Sequence, residues 1–252
     1  MWRSRIALLL LLVAPAASAD ADGRPRWTLD LDWITDEFSN ARGGEQTAMT
    51  QLGYRFSRKV LAYLHYEWLH HFDAYDQKYA VGALFEPMED LAVSLEAGWS
   101  DDPVFSADRS GQVRVDLVRW DVVQPSIAYR YLDYDGFGHV STWTPGVRVL
   151  TPAGNLEFRD AFSRDIDGTR TSIRSLKLFW LTGSEDQLAF YVAGFDGEDS
   201  LPPQTRADFW RLMSGLSWIL SREWEVRADF GWEKREASYI QRSFAFGLTR
   251  RF

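Results

Sequence analysis

The sequence predicts an all-β fold: a transmembrane, antiparallel, up-and-down β-barrel of about 14 strands, with 12 strands as the alternative count. Three observations predict it. Segments of alternating hydrophobicity about ten residues long recur along the chain, aromatic residues stand at their ends, and no apolar run of ~18 residues follows the N-terminal leader. The 252 residues contain no cysteine and carry a formal charge of -8. This composition excludes disulfide and thiolate metal sites and argues against nucleic-acid binding.

The first residues have the order of an export signal. Arg3 and Arg5 precede an apolar run at residues 6–14, and the small residues 17–19 resemble a cleavage site. The run is too short to span a membrane as a helix. We therefore expect a signal peptide at residues 1–19, a short periplasmic segment at 20–25 and a barrel over residues 26–252.

Period-two alternation defines the strands in order. It is typified by Trp27, Leu29, Leu31 and Trp33, which alternate with polar residues in the first segment. The predicted strands lie near residues 26–34, 47–56, 60–68, 77–86, 91–99, 110–118, 122–132, 138–150, 155–163, 171–180, 187–195, 206–219, 223–233 and 240–252.

The connections between these segments differ in length. Short ones lie near residues 57–59, 87–90, 119–121 and 221–222, and longer ones rich in Asp and Gly lie near 35–46, 69–76, 100–109, 133–137, 164–170, 196–205 and 234–239. Short periplasmic turns and longer extracellular loops are typical of Gram-negative outer-membrane barrels. An even strand count then places both termini in the periplasm and makes outer-membrane lipid and lipopolysaccharide the expected surroundings.

The two faces of the predicted strands differ in chemistry. One face is apolar and ends in aromatics, which suits a lipid-facing wall with interfacial girdles. The other face carries charges beside small residues, which a polar lumen tolerates and a dry core does not. The aromatics on the apolar face are Trp27, Trp33, Trp68, Trp99, Trp143, Trp180, Trp210, Trp218, Trp224 and Trp232.

The C-terminus carries an assembly signal. Phe246, Gly247 and the terminal Phe252 resemble the last-strand pattern that the barrel assembly machinery recognises, although Arg250 falls where that pattern usually has an apolar residue. We therefore expect this machinery to be a partner.

The chain as a whole resembles the YaiO family of outer-membrane barrels. The resemblance rests on residues 129–134, on residues 144–147 and on Ser217-Trp218, and it covers residues 26–252. It implies an integral outer-membrane location and a barrel similar to those that end exopolysaccharide exporters. Those exporters carry a periplasmic helical repeat, so here such a scaffold would be a separate protein.

The predicted lumen carries charge of opposite sign on two walls. We expect a basic wall of Arg130, Arg148, Arg159, Lys177 and Arg211 with Glu157 as its one acid, and an acidic wall of Asp30, Asp32, Glu67, Glu96, Asp116, Glu225 and Asp229, joined by Arg55, Arg114 and Arg227.

These walls allow two interpretations. A transverse field would suit a narrow channel, or an export or uptake passage, for a polar or saccharide solute. A salt-bridged interior that only fills a non-conducting structural barrel uses the same charges. Tyr63 and Tyr191 also face inward, where they would stack on sugar rings or fill space. No cofactor or metal site is expected.

Two enzymatic interpretations remain open beside the non-enzymatic ones. His139 and Ser141 have the His-x-Ser spacing of outer-membrane lipid hydrolases, although Thr142 stands where those enzymes usually have Asn. A barrel protease would need paired acids and a His–Asp couple at one rim. Asp101, Asp102, His70, His71 and Asp73 supply those residue types on predicted loops.

Overall fold

The computed structural model describes residues 25–39, 44–71, 74–101, 103–182, 188–201, 205–235 and 239–252. They form 14 antiparallel strands. The strands are β1 (Trp27–Phe38), β2 (Gly44–Ser57), β3 (Val60–His71), β4 (Ala74–Met88), β5 (Leu91–Ser100), β6 (Arg109–Leu117), β7 (Val123–Tyr134), β8 (Gly138–Thr151), β9 (Gly154–Arg164), β10 (Arg170–Thr182), β11 (Leu188–Leu201), β12 (Thr205–Ile219), β13 (Trp224–Arg235) and β14 (Ile240–Arg251).

Pairing of the first and last strands closes the sheet. Each strand pairs with its sequence neighbours, and β1 pairs with both β2 and β14. At the seam, Trp27 and Phe252 exchange backbone hydrogen bonds of 2.9 and 3.0 Å. The predicted 14-strand barrel is therefore confirmed, and closure leaves no unpaired sheet edge. No helix in the described ranges is long and apolar enough to cross a membrane.

The outer face is apolar, as the alternation predicts. On β6, Val113 is exposed and lies opposite Leu95 of β5 and Tyr129 of β7. Exposed apolar side chains also lie on this face of other strands, for example Leu212 of β12 and Phe246 of β14. In water such a surface would be unfavourable, but in a bilayer it is the face that contacts lipid.

Aromatic side chains form clusters near both ends of this outer face. Here "terminal end" means the end of the barrel that carries residues 27 and 252, and "loop end" means the opposite end. The terminal end has Trp27 beside Tyr54, with ring centroids 4.7 Å apart. Clusters toward the loop end include Trp210 with Trp232 at 4.2 Å. This arrangement is that of two interfacial girdles.

The strands run further toward the loop end than their hydrophobic pattern predicts. The predicted connection at 35–46 shortens to residues 39–43, and that at 69–76 shortens to residues 72–73. Acidic residues inside the predicted loops, such as Asp36 and Asp76, belong to strands and are buried. The backbone ladder does not need an apolar side chain at each second position, so it continues where the lipid-facing pattern ends. By the strand bounds, most connections at this end are therefore shorter than predicted, and the longest runs from residue 101 to residue 108.

A charged lumen as candidate functional site

The predicted wall residues lie on the face opposite the exposed apolar side chains. On β9, for example, Glu157 stands between the exposed Leu156 and Phe158. Because side chains alternate along a strand, Glu157 faces the lumen. The same alternation places the other predicted wall residues inward.

Glu157 is the centre of the basic side of the lumen. Its carboxylate lies 2.5 Å from Arg159 and 3.6 Å from each of Arg148 and Arg114. Arg114 reaches it from β6, across the two intervening strands. Arg114 also donates to Asp116, with Nη2 2.6 Å from Oδ1. Arg114 and its partner Asp116, which were both predicted to belong to the acidic wall, therefore belong to the basic side of the lumen.

Two further bases on this side have no carboxylate partner. Arg130 and Lys177 make no ion pair within the part of the chain that the structure describes. The Lys177 ammonium instead lies 4.2 Å from the centroid of the Tyr191 ring, within range of a cation–π interaction. The basic side consequently keeps a surplus of positive charge.

Several acids of the opposite wall have nearby partners. Arg227 of β13 lies 2.7 Å from Asp32 of β1, across β14. Arg251 pairs with Glu225, and the Thr249 hydroxyl donates to Asp30 at 2.5 Å. The two walls are thus less opposed in charge than their acid and base totals suggest.

Two further acids of that wall lie on β3 and β5. Glu67 lies 3.6 Å from Lys78 and 3.7 Å from His65. Glu96 accepts a 2.8 Å hydrogen bond from the Tyr63 hydroxyl. These contacts tie three neighbouring strands together on the lumen side.

Glycines on the lumen face let long side chains cross the neighbouring strand. The Tyr63 ring occupies the space where a Cβ at Gly82 would stand, and it reaches Glu96 one strand further on. Tyr191 crosses Gly215 in the same way, and its hydroxyl interacts with Asp229. The Lys177 ammonium lies over the same Tyr191 ring, so a cation occupies one face on which a sugar was expected to stack.

Gly247 of the predicted assembly signal has the same function. A Cβ there would lie 2.9 Å from Arg227 Nε and would overlap Asp32, so any larger residue would disturb this ion pair. The other two signal residues differ in setting: Phe246 is exposed on the outer face, and Phe252 is buried at the seam.

A cavity of 460 Å³ lies inside the lumen between the two walls. Lys177 and Tyr191 border one side, and Glu225, Arg227 and Asp229 border the other. Apolar side chains, among them Phe179, Leu181 and Ile219, complete the lining. This volume is within the range that holds a small polar ligand.

The longest connection is fixed over part of the loop end. Asp76 of β4, only 1% exposed, accepts hydrogen bonds of 2.7, 2.8 and 2.6 Å from the backbone N–H groups of Val104, Phe105 and Ser106. The Phe105 ring packs edge-on against His71, with centroids 4.9 Å apart. The sequence did not indicate this contact because Asp76 lies inside a predicted loop.

The loop-end lumen holds other charges that the sequence did not single out. Glu233, buried on β13, lies 2.6 Å from Arg235 and 3.9 Å from Arg211. Arg211 is therefore paired, unlike Arg130. Acids recur at every fourth residue of β13, at Glu225, Asp229 and Glu233, and this spacing on one strand face could have indicated Glu233.

The hydrolase pair lies on the outer face, as its register predicts. His139 stacks on Tyr131, with centroids 5.4 Å apart, and Ser141 is the register partner of Tyr131. Asp133 lies opposite His139 in the register, a neighbour that the sequence did not reveal. The hydrogen bonds and ion pairs between described residues do not join Asp133 to His139 or His139 to Ser141. In this structure His139 therefore contacts an aromatic ring rather than the acid and the hydroxyl that a nucleophilic relay joins.

The protease candidates are separated by the strand that carries them. His70 stacks on Trp68 on the outer face, whereas His71 bonds to Glu45 in the lumen at 2.8 Å. Both histidines end β3 rather than lying on a loop, so their placement as loop residues was wrong. Asp73 and Asp102 lie outside the described residues.

Comparison with solved structures shows an outer-membrane barrel fold. The chain is similar to "CymD monoaromatic hydrocarbon channel" at 13% identity and a TM-score of 0.65, covering 91% of this chain and 89% of that one. It is similar to "Bacterial polysaccharide outer membrane secretin" at 11% identity and a TM-score of 0.65, covering 91% and 99%. A third similar structure is the Acinetobacter baumannii outer membrane protein Omp33, at 11% identity and a TM-score of 0.56, covering 91% and 99%.

Neither sequence comparison adds to this result. No family model matches the chain, and no curated protein matches it.

Proposed function

We propose that this protein is a non-enzymatic, narrow passage for polar solutes across the bacterial outer membrane, with both termini in the periplasm. The observation that carries the proposal is the lumen itself: a closed barrel with an apolar outer face encloses a charged interior with a 460 Å³ cavity. Polar residues in contact with water-filled space are the usual lining of a pore.

We further propose membership of the YaiO family and a saccharide as the solute. The hydroxyl and charged groups that line the lumen support a solute with many hydrogen-bonding groups. On this proposal the barrel assembly machinery inserts the chain, lipopolysaccharide surrounds it, and a separate periplasmic scaffold delivers or receives the solute.

Conductance of the refolded protein in planar bilayers tests the passage. Residues 175 and 176 provide a matched pair, because Ser175 faces the lumen two residues before Lys177 whereas Leu176 is exposed on the outer face. We expect discrete conductance steps from the native protein, smaller steps from Ser175→Trp and unchanged steps from Leu176→Trp. A folded barrel without conductance would favour a purely structural protein.

A further inference from the structure

We propose that the lumen contains an oxyanion-binding site formed by Arg148, Arg159 and Lys177 around Glu157. This inference rests on the passage proposed above and specifies its solute class: polar molecules that carry carboxylate or phosphate groups. The site lies on β8, β9 and β10, and its Lys177 side chain borders the 460 Å³ cavity.

The cluster carries more positive than negative charge. Four bases, namely Arg114, Arg148, Arg159 and Lys177, lie around two carboxylates, those of Asp116 and Glu157. Two positive charges are therefore in excess within one side of a narrow lumen. A low-dielectric wall concentrates the field of such a surplus and attracts an anion.

The guanidinium groups of the cluster lie nearer the lumen surface than the Glu157 carboxylate does. The Glu157 side chain is 11% exposed, whereas those of Arg148 and Arg159 are 35% and 37% exposed. The carboxylate therefore lies beneath the guanidinium groups, and the lumen surface presents their N–H donors. Guanidinium groups bind carboxylate and phosphate through paired, charge-assisted hydrogen bonds.

The N–H donors of Arg148 and Lys177 are not fully used in hydrogen bonds. Arg148 approaches Glu157 only to 3.6 Å, which is longer than a hydrogen bond. Lys177 has no ion-pair partner in the described ranges, and it borders the cavity from which a solute would arrive. An incoming oxyanion would supply the missing acceptors.

Among the residues that the structure describes, the opposite wall offers no comparable site. There Arg227 already lies 2.7 Å from Asp32, and Arg251 is bound to Glu225. Acids outnumber bases on that wall, so an anion would be repelled. The asymmetry assigns the anion to the basic side.

Block of the bilayer current by added solutes tests the site. The probes are trigalacturonate, inorganic pyrophosphate and neutral maltotriose. We expect the first two to reduce the current at concentrations at which maltotriose has no effect, together with an anion-selective reversal potential in a KCl gradient. Block by pyrophosphate alone would identify phosphate as the group bound, and block by trigalacturonate alone would identify carboxylate; either result supports the site.

Variants that remove positive charge inside and outside the cluster localise the effect. Joint Arg148→Gln and Arg159→Gln substitution should raise the half-blocking concentration about tenfold or more, because two charged donors are lost. Arg55→Gln is the control, since Arg55 lies on β2, faces the lumen and is remote from the cluster. Glu157→Gln should act in the opposite direction and strengthen block. Heat-modifiable migration on gels checks that every variant is folded.

The outcomes separate this inference from the proposed function. A protein that conducts but is blocked equally by all three probes, or equally after the double and the Arg55→Gln substitutions, overturns the site and leaves the passage standing. Absence of any current overturns the passage. In that case calorimetry with pyrophosphate decides the site: heat of binding lost in the double variant supports it, and no binding by the native protein overturns it.

Discussion

At the scale of single residues, glycines determine which charges meet in the lumen. The sequence predicts that Asp32, Arg227 and Gly247 face inward, because alternation alone sets the face of each residue. It does not predict that Arg227 crosses Gly247 to reach Asp32, since that contact joins residues 195 positions apart. For the same reason the sequence grouped Arg114 with the acidic wall, although it contacts Glu157.

The Tyr63 ring occupies the space beside Gly82, and this packing predicts how a substitution there changes stability. Gly82→Ala should lower the free energy of unfolding by ~1–3 kcal/mol, because the new Cβ overlaps the Tyr63 ring. Gly111→Ala should cost little, since nothing lies within 4 Å of its Cβ position. Urea titrations in detergent or lipid measure both. Equal costs, or no relief when Tyr63→Ala is added to Gly82→Ala, would contradict the crossing arrangement.

At the scale of strands, the hydrophobic pattern predicts the number and order of elements but not where they end. All 14 predicted segments overlap a strand, because lipid contact imposes the alternation over the middle of each one. Toward the loop end the alternation stops while hydrogen bonding between strands continues, as at Asp36 and Glu45. The strand ends were therefore predicted as loops.

An added cation should destabilise the protein by different amounts on the two faces of β6. Val113 is exposed on the outer face, so Val113→Arg should cost ~2–4 kcal/mol of folding free energy in lipid. Gln112 precedes it on the lumen side, and Gln112→Arg should cost much less. The comparison requires urea titration of both variants in the same vesicles. A greater cost for Gln112→Arg would place the register wrong by one residue.

The loop over β4 depends on one carboxylate. Asp76→Asn removes the charge that accepts three backbone hydrogen bonds, each charged bond being worth ~1.5–3 kcal/mol. We expect faster chymotrypsin cleavage after Phe105 while the barrel stays resistant. Asp90→Asn is the control, because Asp90 is exposed in a terminal-end turn and contacts Arg119 only at 3.9 Å. Unchanged cleavage in Asp76→Asn would mean that other contacts fix the loop.

At the scale of the whole molecule, closure and the outward apolar face make the chain an outer-membrane barrel, whereas its orientation stays a prediction. The chain has no cysteine, so a single introduced thiol is a clean probe. Asp167→Cys, in the loop-end turn between β9 and β10, should react with a membrane-impermeant maleimide on intact cells. Asp90→Cys should react only after the outer membrane is permeabilised. The reverse pattern would place the termini outside.

The measurement that tests the central account most directly is chemical block of the lumen. Ser175→Cys places a thiol beside the basic side of the lumen, and Leu176→Cys places one on the lipid-facing surface. A charged methanethiosulfonate reagent is added to either side of a bilayer that carries the conducting protein. The account predicts that the Ser175→Cys current falls irreversibly from both sides and that the Leu176→Cys current does not change. A Ser175→Cys current that the reagent leaves intact from both sides, or block of Leu176→Cys alone, would contradict a passage through the lumen.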